Sequence, residues 1–191
     1  MILLLAVLAG LIAGLARATY HRSGYHIPDL RLWWLAILAV LPQLLAFHLP
    51  YTRDIFPEGW VQAALVSSQL LLMVFALLNL DKPGFWMLSL GLLLNLTVIG
   101  LNGGLMPISP GTVKLLAPNA PEGSWQVGER LGTTKDIVLP IEEMKLGLLS
   151  DRFLLPDWVP YHVAFSLGDL FIALGAFWFL WSFGNPGTRT S

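Results

Sequence analysis

The chain has 191 residues, 55% of them hydrophobic and only 12% charged, with a net charge of −1. Soluble domains carry roughly twice that charged fraction, and the lack of any basic stripe or aromatic–basic interleaving argues against a nucleic-acid partner. Cysteine is absent, which excludes disulfides, thiolate nucleophiles, iron–sulfur clusters and Cys-based zinc sites.

The apolar residues gather in blocks long enough to cross a hydrocarbon core about 30 Å thick. The blocks cover residues 2–16, 32–49, 60–80, 85–101 and 163–183. They predict an all-α integral membrane protein, a five-helix transmembrane bundle in one membrane domain, 1–191. The first block, MILLLAVLAGLIAGLARA, has a signal-like small-residue end but no positive n-region, and is read as a retained helix.

Basic residues set the orientation. Arg17, Arg22 and Arg31 follow the first block, Lys82 sits in the turn after the third, and Arg189 lies in the tail. Alternation puts these on one side, against Arg53 and a long segment of mixed charge on the other. The positive-inside rule then predicts a multi-pass protein of the bacterial cytoplasmic (inner) membrane, N-terminus outside and C-terminus cytoplasmic.

Within the apolar blocks, Gln43, Gln69, Asn95 and Asp169 are the polar intruders, with Ser67 and Ser68 beside Gln69. Alternation puts all four roughly 9–14 Å below the same surface. Single amides ordinarily hydrogen-bond helices together. A carboxylate at that depth is costly unless paired, so Asp169 is the functional candidate. HVAFSLGDLF sets His162, Ser166 and Asp169 on one face of the fifth helix, with Ala164 and Gly168 on the adjacent stripe. Asn95 and Asn102 share a face of the fourth helix, leading to the exit NGGLMPISPG.

Segment 102–162 is too long for a structureless loop. It is expected to form an extracytoplasmic cap of short helices on the bundle, at the interface or re-entering the membrane. SPGTVKLLAP reads as one short helix with Ser109 as N-cap, and LPIEEMKLGLL as a second starting at Pro140. Trp125 and Trp158 are expected at headgroup level. The charges fall in neighbouring pairs, Glu129–Arg130, Lys135–Asp136 and Asp151–Arg152, framed by glycine and proline. Arg and Lys above a polar site suit an anionic headgroup or carboxylate. A cap cation is also the natural partner of Asp169, Arg152 first and Lys135 second.

NGGLMP, GTTKDIVLP (preceded by Gly128), LLSDRFLLP and FSLGD, in this order, resemble the bacterial membrane family catalogued as domain of unknown function 5317. The resemblance covers essentially the whole chain. It implies a small polytopic membrane protein and supports Asn102, Gly103, Met106, Pro107, Lys135, Asp136, Asp151, Arg152, Ser166 and Asp169; it supplies no activity.

The candidate ligand-binding residues are therefore Asn95, Asn102, Lys135, Asp136, Asp151, Arg152, Ser166 and Asp169. No phosphate-binding loop, nucleophile elbow or His-Glu-x-x-His motif occurs. His21 and His26 read as solvated and His48 and His162 as interfacial, so no metal or cofactor is expected. Three functions fit: binding or moving a lipid-like or small anionic molecule from an outward-facing polar site; serving as an accessory subunit of a larger membrane complex; or acting as an enzyme on a lipid headgroup, for which no nucleophile–base pair is readable. The expected partners are membrane lipid and other membrane-protein subunits.

Overall fold

A computed structural model describes residues 2–22, 24–25, 28–49, 51, 55–121, 123–156, 159 and 162–184. His26, Arg53, Trp158 and Arg189 lie outside the described residues, and with them the expectations that rested on them. The protein is mostly helical. Its long elements are α1 (Ile2–Tyr20), α2 (Trp34–Gln43, continued by one π-helical segment, Leu44–His48), α3 (Glu58–Leu78) and α4 (Phe85–Leu101). The cap follows as β1 (Met106–Ile108), α5 (Pro110–Leu116), β2 (Asp136–Val138), a 3-10 turn (Gly147–Leu149), β3 (Phe153–Leu154) and β4 (Ala164–Phe165); α6 (Leu167–Ser182) closes the chain. Two helices, α1 and α3, are long and apolar enough to cross a membrane, and α2 with its π segment, α4 and α6 are shorter apolar helices.

The long helices pack as a row, α1 against α6, α6 against α4, α4 against α3 and α3 against α2. Glycine sets the two closest seams. Along α4 and α6, Gly84 faces Gly175 and Gly91 faces Gly168, so the helices run antiparallel with their backbones in contact. Along α1 and α6, Gly10 meets Phe177 and Gly14 meets Leu180, so these two run parallel. Small residues at such spacing let dispersion contacts form between helices whose outer faces are apolar all round. Those outer faces stay uncovered: Ile12 is 68% exposed and Trp60 70%.

One core cluster joins Ala46, Val61, Leu65, Val98 and Ile99 to Leu105 and Met106, so the cap begins inside the helix layer's own core. A second, Ile108, Val113 and Val138 with Leu116, Trp125, Leu131 and Ala164 against it, belongs to the cap. The cap is thus a folded layer with a small sheet. β1 pairs in parallel with β2, across the crossover that carries α5. Asp151 bridges Ile108 on the other edge of β1, and β3 pairs antiparallel with β4.

Several expectations are corrected. The last apolar block is helical only from Leu167, because Ala164–Phe165 is drawn into a ladder with Phe153–Leu154. His162, Ser166 and Asp169 therefore do not share a helix face. The run after Pro140 forms turns and a 3-10 turn instead of a second short helix. Trp125 packs against the cap core. α1 runs to Tyr20, α2 is cut short by its π segment, and α3 covers Glu58–Leu78, two residues earlier than its block at each end. The helix Pro110–Leu116, capped by Ser109 Oγ accepting from the Thr112 N–H, and the helix Phe85–Leu101 lie where the sequence puts them.

The α4–α6 seam makes a contrast of two glycines. A Cβ on Gly168 would strike the Asn95 side chain and lie 2.8 Å from the Gly91 carbonyl oxygen. Gly168→Ala is expected to destabilise by about 1–3 kcal/mol, as overpacking does. A Cβ on Gly59, within α3, meets nothing within 4 Å, and Gly59→Ala should stabilise by about 0.5–1 kcal/mol. Thermal unfolding of the detergent-solubilised chain checks both; equal melting temperatures would contradict the seam.

Candidate functional site

The motif GTTKD builds a hairpin turn. Val138 N–H donates to the Glu129 carbonyl, Leu131 N–H to the Asp136 carbonyl, and Gly132 takes the left-handed φ of +55° that the turn needs. Thr134 Oγ1 donates to the Leu131 carbonyl and accepts from the Asp136 N–H, fixing the two residues between which Lys135 stands. The Met106 N–H donates to the Lys135 carbonyl, so the turn is sewn to the first strand after α4.

From the opposite edge of that strand comes SDR. Ser150 Oγ donates to the Gly147 carbonyl, and the Asp151 N–H to the Pro107 carbonyl. Lys135 and Asp151 thus flank one strand from both sides, and Lys135 Nζ reaches Asp151 Oδ2 at 2.9 Å. FSLGD supplies the third arm. Ser166 Oγ accepts from the Asp169 N–H and Asp169 Oδ2 from the Ser166 N–H, a capping box that starts α6. Ser166 Oγ also donates to Asn95 Oδ1 at 2.8 Å, and Asn95 Nδ2 donates to Asp169 Oδ1 at 2.7 Å. Lys135 Nζ stands 3.5 Å from Asp169 Oδ2. Gly168 is glycine because the Asn95 carboxamide fills the space a Cβ would need.

Asn95, Lys135, Asp136, Asp151, Ser166 and Asp169 are therefore one connected site, joining α4, α6 and the cap. Asn95 lies six residues before the end of α4, so the lysine of the cap reaches roughly 9 Å below that helix end. The cation beside Asp169 is Lys135; Arg152 does not meet it.

The charge balance is acidic, one ammonium against three carboxyl groups. Asp151 is 1% exposed and Asp136 9%. Burial pushes the Asp151 carboxyl up to about 8, against the pull of Lys135. Burial likewise raises Asp136, which lies within hydrogen-bonding reach of Asp151. Burial alone would lower Lys135, but the carboxylates of Asp151, Asp169 and Asp136 outweigh it and hold the ammonium charged. Among the described residues, an anion has no free cation to meet here.

Two sequence candidates lie elsewhere. Asn102 ends α4 in a Schellman turn, with the Gly104 N–H on the Ile99 carbonyl and Gly103 at φ +78°. Its carboxamide donates to the Val98 and Lys145 carbonyls and accepts from the Lys145 N–H. That clamp holds the turn in which Leu146 adopts a left-handed φ of +57°, a conformation leucine rarely takes. The specified exit is thus a fastening for the cap. Gln43 is also separate, donating to Ser68 Oγ at 2.7 Å between α2 and α3. Buried Asn79, which the sequence reading passes over, closes α3 as Asn102 closes α4, with its carboxamide on both the N–H and C=O of Arg31.

Arg152 faces a groove of about 400 Å³, lined by Ser109, Thr112, Ser150 and Arg152 together with Ile141, Met144 and Leu148. Ile141 and Leu148 are 70% and 75% exposed. Among the described residues, the Arg152 guanidinium meets no carboxylate; its ring neighbour is Phe153, at 5.9 Å. Nothing in the sequence brings Ser109, Thr112 and Ser150 together, since the groove forms only when three cap segments meet.

Comparison with known proteins agrees with the motifs. Residues 28–181 match the model of a family of unknown function, DUF5317. An uncharacterised protein of Thermotoga maritima is 25% identical over 142 residues, covering 71% of this chain and 72% of its own. No solved structure matches.

Removing the cation should strand the carboxylates. Lys135→Met is expected to cost about 3–5 kcal/mol of stability, and adding Asp151→Asn should recover much of it; a double variant as unstable as the single one would contradict the pairing. The sign of the pH dependence also follows. Asp151 has a folded pKa raised to about 8, so its contribution to stability is fully present below its unfolded value of about 3.9 and is lost as pH rises through the folded one. The melting temperature should fall between these limits more steeply in the native chain than in Asp151→Asn, and identical pH profiles would contradict the assignment.

Proposed function

We propose, since this chain belongs to the family of unknown function DUF5317, whose membership brings no activity with it, that it is a five-helix protein of the bacterial inner membrane that binds an anionic amphiphile in the groove of its outward-facing cap. α1, α2 with its π segment, α3, α4 and α6 are the spanning helices. Their uncovered apolar faces support this, since such surface is stable against lipid and not against water. The parallel run of α1 and α6 and the antiparallel run of α4 and α6 fit an alternating path. The basic residues Arg17, Arg22, Arg31 and Lys82 on the side away from the cap favour a cytoplasmic C-terminus.

The ligand reading rests on one observation, the groove of Arg152. Its polar end holds a guanidinium that meets no carboxylate among the described residues, beside the hydroxyls of Ser109, Thr112 and Ser150, which are bonded within the cap; its other wall is Ile141, Met144 and Leu148. A guanidinium fork matches phosphate or carboxylate oxygens, and the apolar wall suits the start of an acyl chain. The 3-10 turn that carries Leu148 packs on α4 and α6, which supports a groove close to the membrane surface. The buried Lys135–Asp cluster holds the cap in place beneath it.

An accessory-subunit role is the second reading. It is favoured by Asp169 and Asn95, whose polar atoms are satisfied within the chain and leave the deep site closed to a ligand.

Native mass spectrometry of the gently extracted full chain separates the two. With added phosphatidylglycerol and phosphatidylcholine, the expected result is preferential retention of the anionic lipid, reduced about tenfold by Arg152→Ala, the loss of a charge-assisted contact. Equal retention of both lipids, unchanged by Arg152→Ala, overturns the groove reading; a co-purifying membrane protein in those spectra would speak for the subunit.

A further inference from the structure

The polar centre leaves two atoms unaccounted for. Asp136 Oδ1 and Asp151 Oδ1 are buried, and neither has a hydrogen-bond partner among the described residues. The carboxyl groups that carry them lie within hydrogen-bonding reach of each other. Both residues are more than nine-tenths buried. Two ionised carboxylates in that position would present only acceptors to one another, with like charges in contact and no solvent between them. One proton removes the conflict, since a carboxyl O–H can donate to the neighbouring carboxylate.

We propose that Asp136 and Asp151 form a proton-binding site in which one proton is held between the two carboxyl groups, with Lys135 and Asp169 as the charges that face it. The inference is independent of any ligand in the Arg152 groove. Its geometry follows from the sheet. β2 brings Asp136 to one side of β1 and the bridge to Ile108 brings Asp151 to the other, with Lys135 and Asp169 the charged groups that act on both. Lys135 and Asp169 side chains are 33% and 21% exposed, so exchange with water runs past them.

Loading and release balance simply. A proton from water forms an O–H bond on one Asp oxygen, and that O–H donates across to the second carboxylate; release returns the proton to water and leaves two carboxylates. Lys135 then faces both, 2.9 Å from Asp151, while its hold on Asp169 is the longer contact at 3.5 Å. Loss of the proton draws the ammonium toward the cap's own pair and away from α6. Occupancy of the site thus sets how firmly the cap grips the last helix.

The test uses the full chain in detergent with the aspartate side-chain carboxyl carbons labelled with carbon-13. The expected infrared spectrum at neutral pH shows the C=O stretch of a protonated aspartic acid, shifted by the label and lost as pH rises through about 8. In carbon-13 NMR, two carboxyl resonances should move together in that step, as a shared proton requires. Asp136→Asn and Asp151→Asn should each abolish the signal, because an amide supplies the donor the proton supplied, and Asp169→Asn should keep it. Every aspartate ionised at neutral pH, a single resonance moving alone, or a signal surviving both single variants would overturn the proposal. If the variants do not fold, the labelled native chain still decides by the number of resonances that move.

Discussion

The ammonium of Lys135, between Asp151 and Asp169, is the contact on which the arrangement of the protein depends. Among the described residues it is the one cation in a buried cluster of carboxyl groups, and it arrives from a hairpin, 34 residues before Asp169. A buried ion pair is not by itself a source of net stability, because desolvation offsets much of the attraction. Its value here is positional. Lys135 can satisfy both aspartates only if β2, the SDR segment and the start of α6 meet at one point, and that meeting defines the cap. Asn95 and Ser166 complete the point from α4 and the capping box, leaving Asp169 paired on both oxygens.

The legible parts of the sequence were those set by local chemistry. α4 begins after DKPG and ends at NGG, so its bounds could be read; Pro110 behind Ser109 marked α5 as clearly. The start of α6 could not be read from hydropathy, since Val163, Ala164 and Phe165 are as apolar in a strand as in a helix. Ser166 and Asp169 carried the missing signal, a hydroxyl three residues before a carboxylate, which is a helix start and not a helix face. The common depth of the polar residues led to real pairs, Asn95 with Asp169 and Gln43 with Ser68, but two seams and not one site. That Lys135 and not Arg152 meets Asp169 depends on which side of β1 each segment joins, and a register of that kind leaves no trace in the spacing of residues.

Two asparagines show how the loops are held without charge. Asn79 and Asn102 stand at the C-terminal ends of consecutive long helices, and each turns its carboxamide onto the N–H and C=O of one residue in a distant segment, Arg31 and Lys145. A carboxamide is a peptide group on a side chain, so it can pair with a backbone as a strand would, and it also answers the helix-end carbonyl behind it, Phe75 for Asn79 and Val98 for Asn102. The donor and acceptor are both needed; aspartate offers only acceptors at neutral pH, and leucine of similar size offers neither. The two ends of the helix layer are thus finished by the same device.

The row of helices also fixes an order of assembly. α2, α3 and α4 neighbour one another in sequence and can pair as they emerge during synthesis, over short connections. α1 has no such neighbour. Its main partner is α6, made only after the cap, and α6 stands in the row between α1 and α4. α1 therefore waits for α6, and Asn95 waits with it, since its side-chain partners Ser166 and Asp169 come some seventy residues later. Until then the face of α4 that will receive α6 carries an unanswered carboxamide among glycines. A nascent chain of this protein is vulnerable on that one face until α6 arrives and joins α1 to α4.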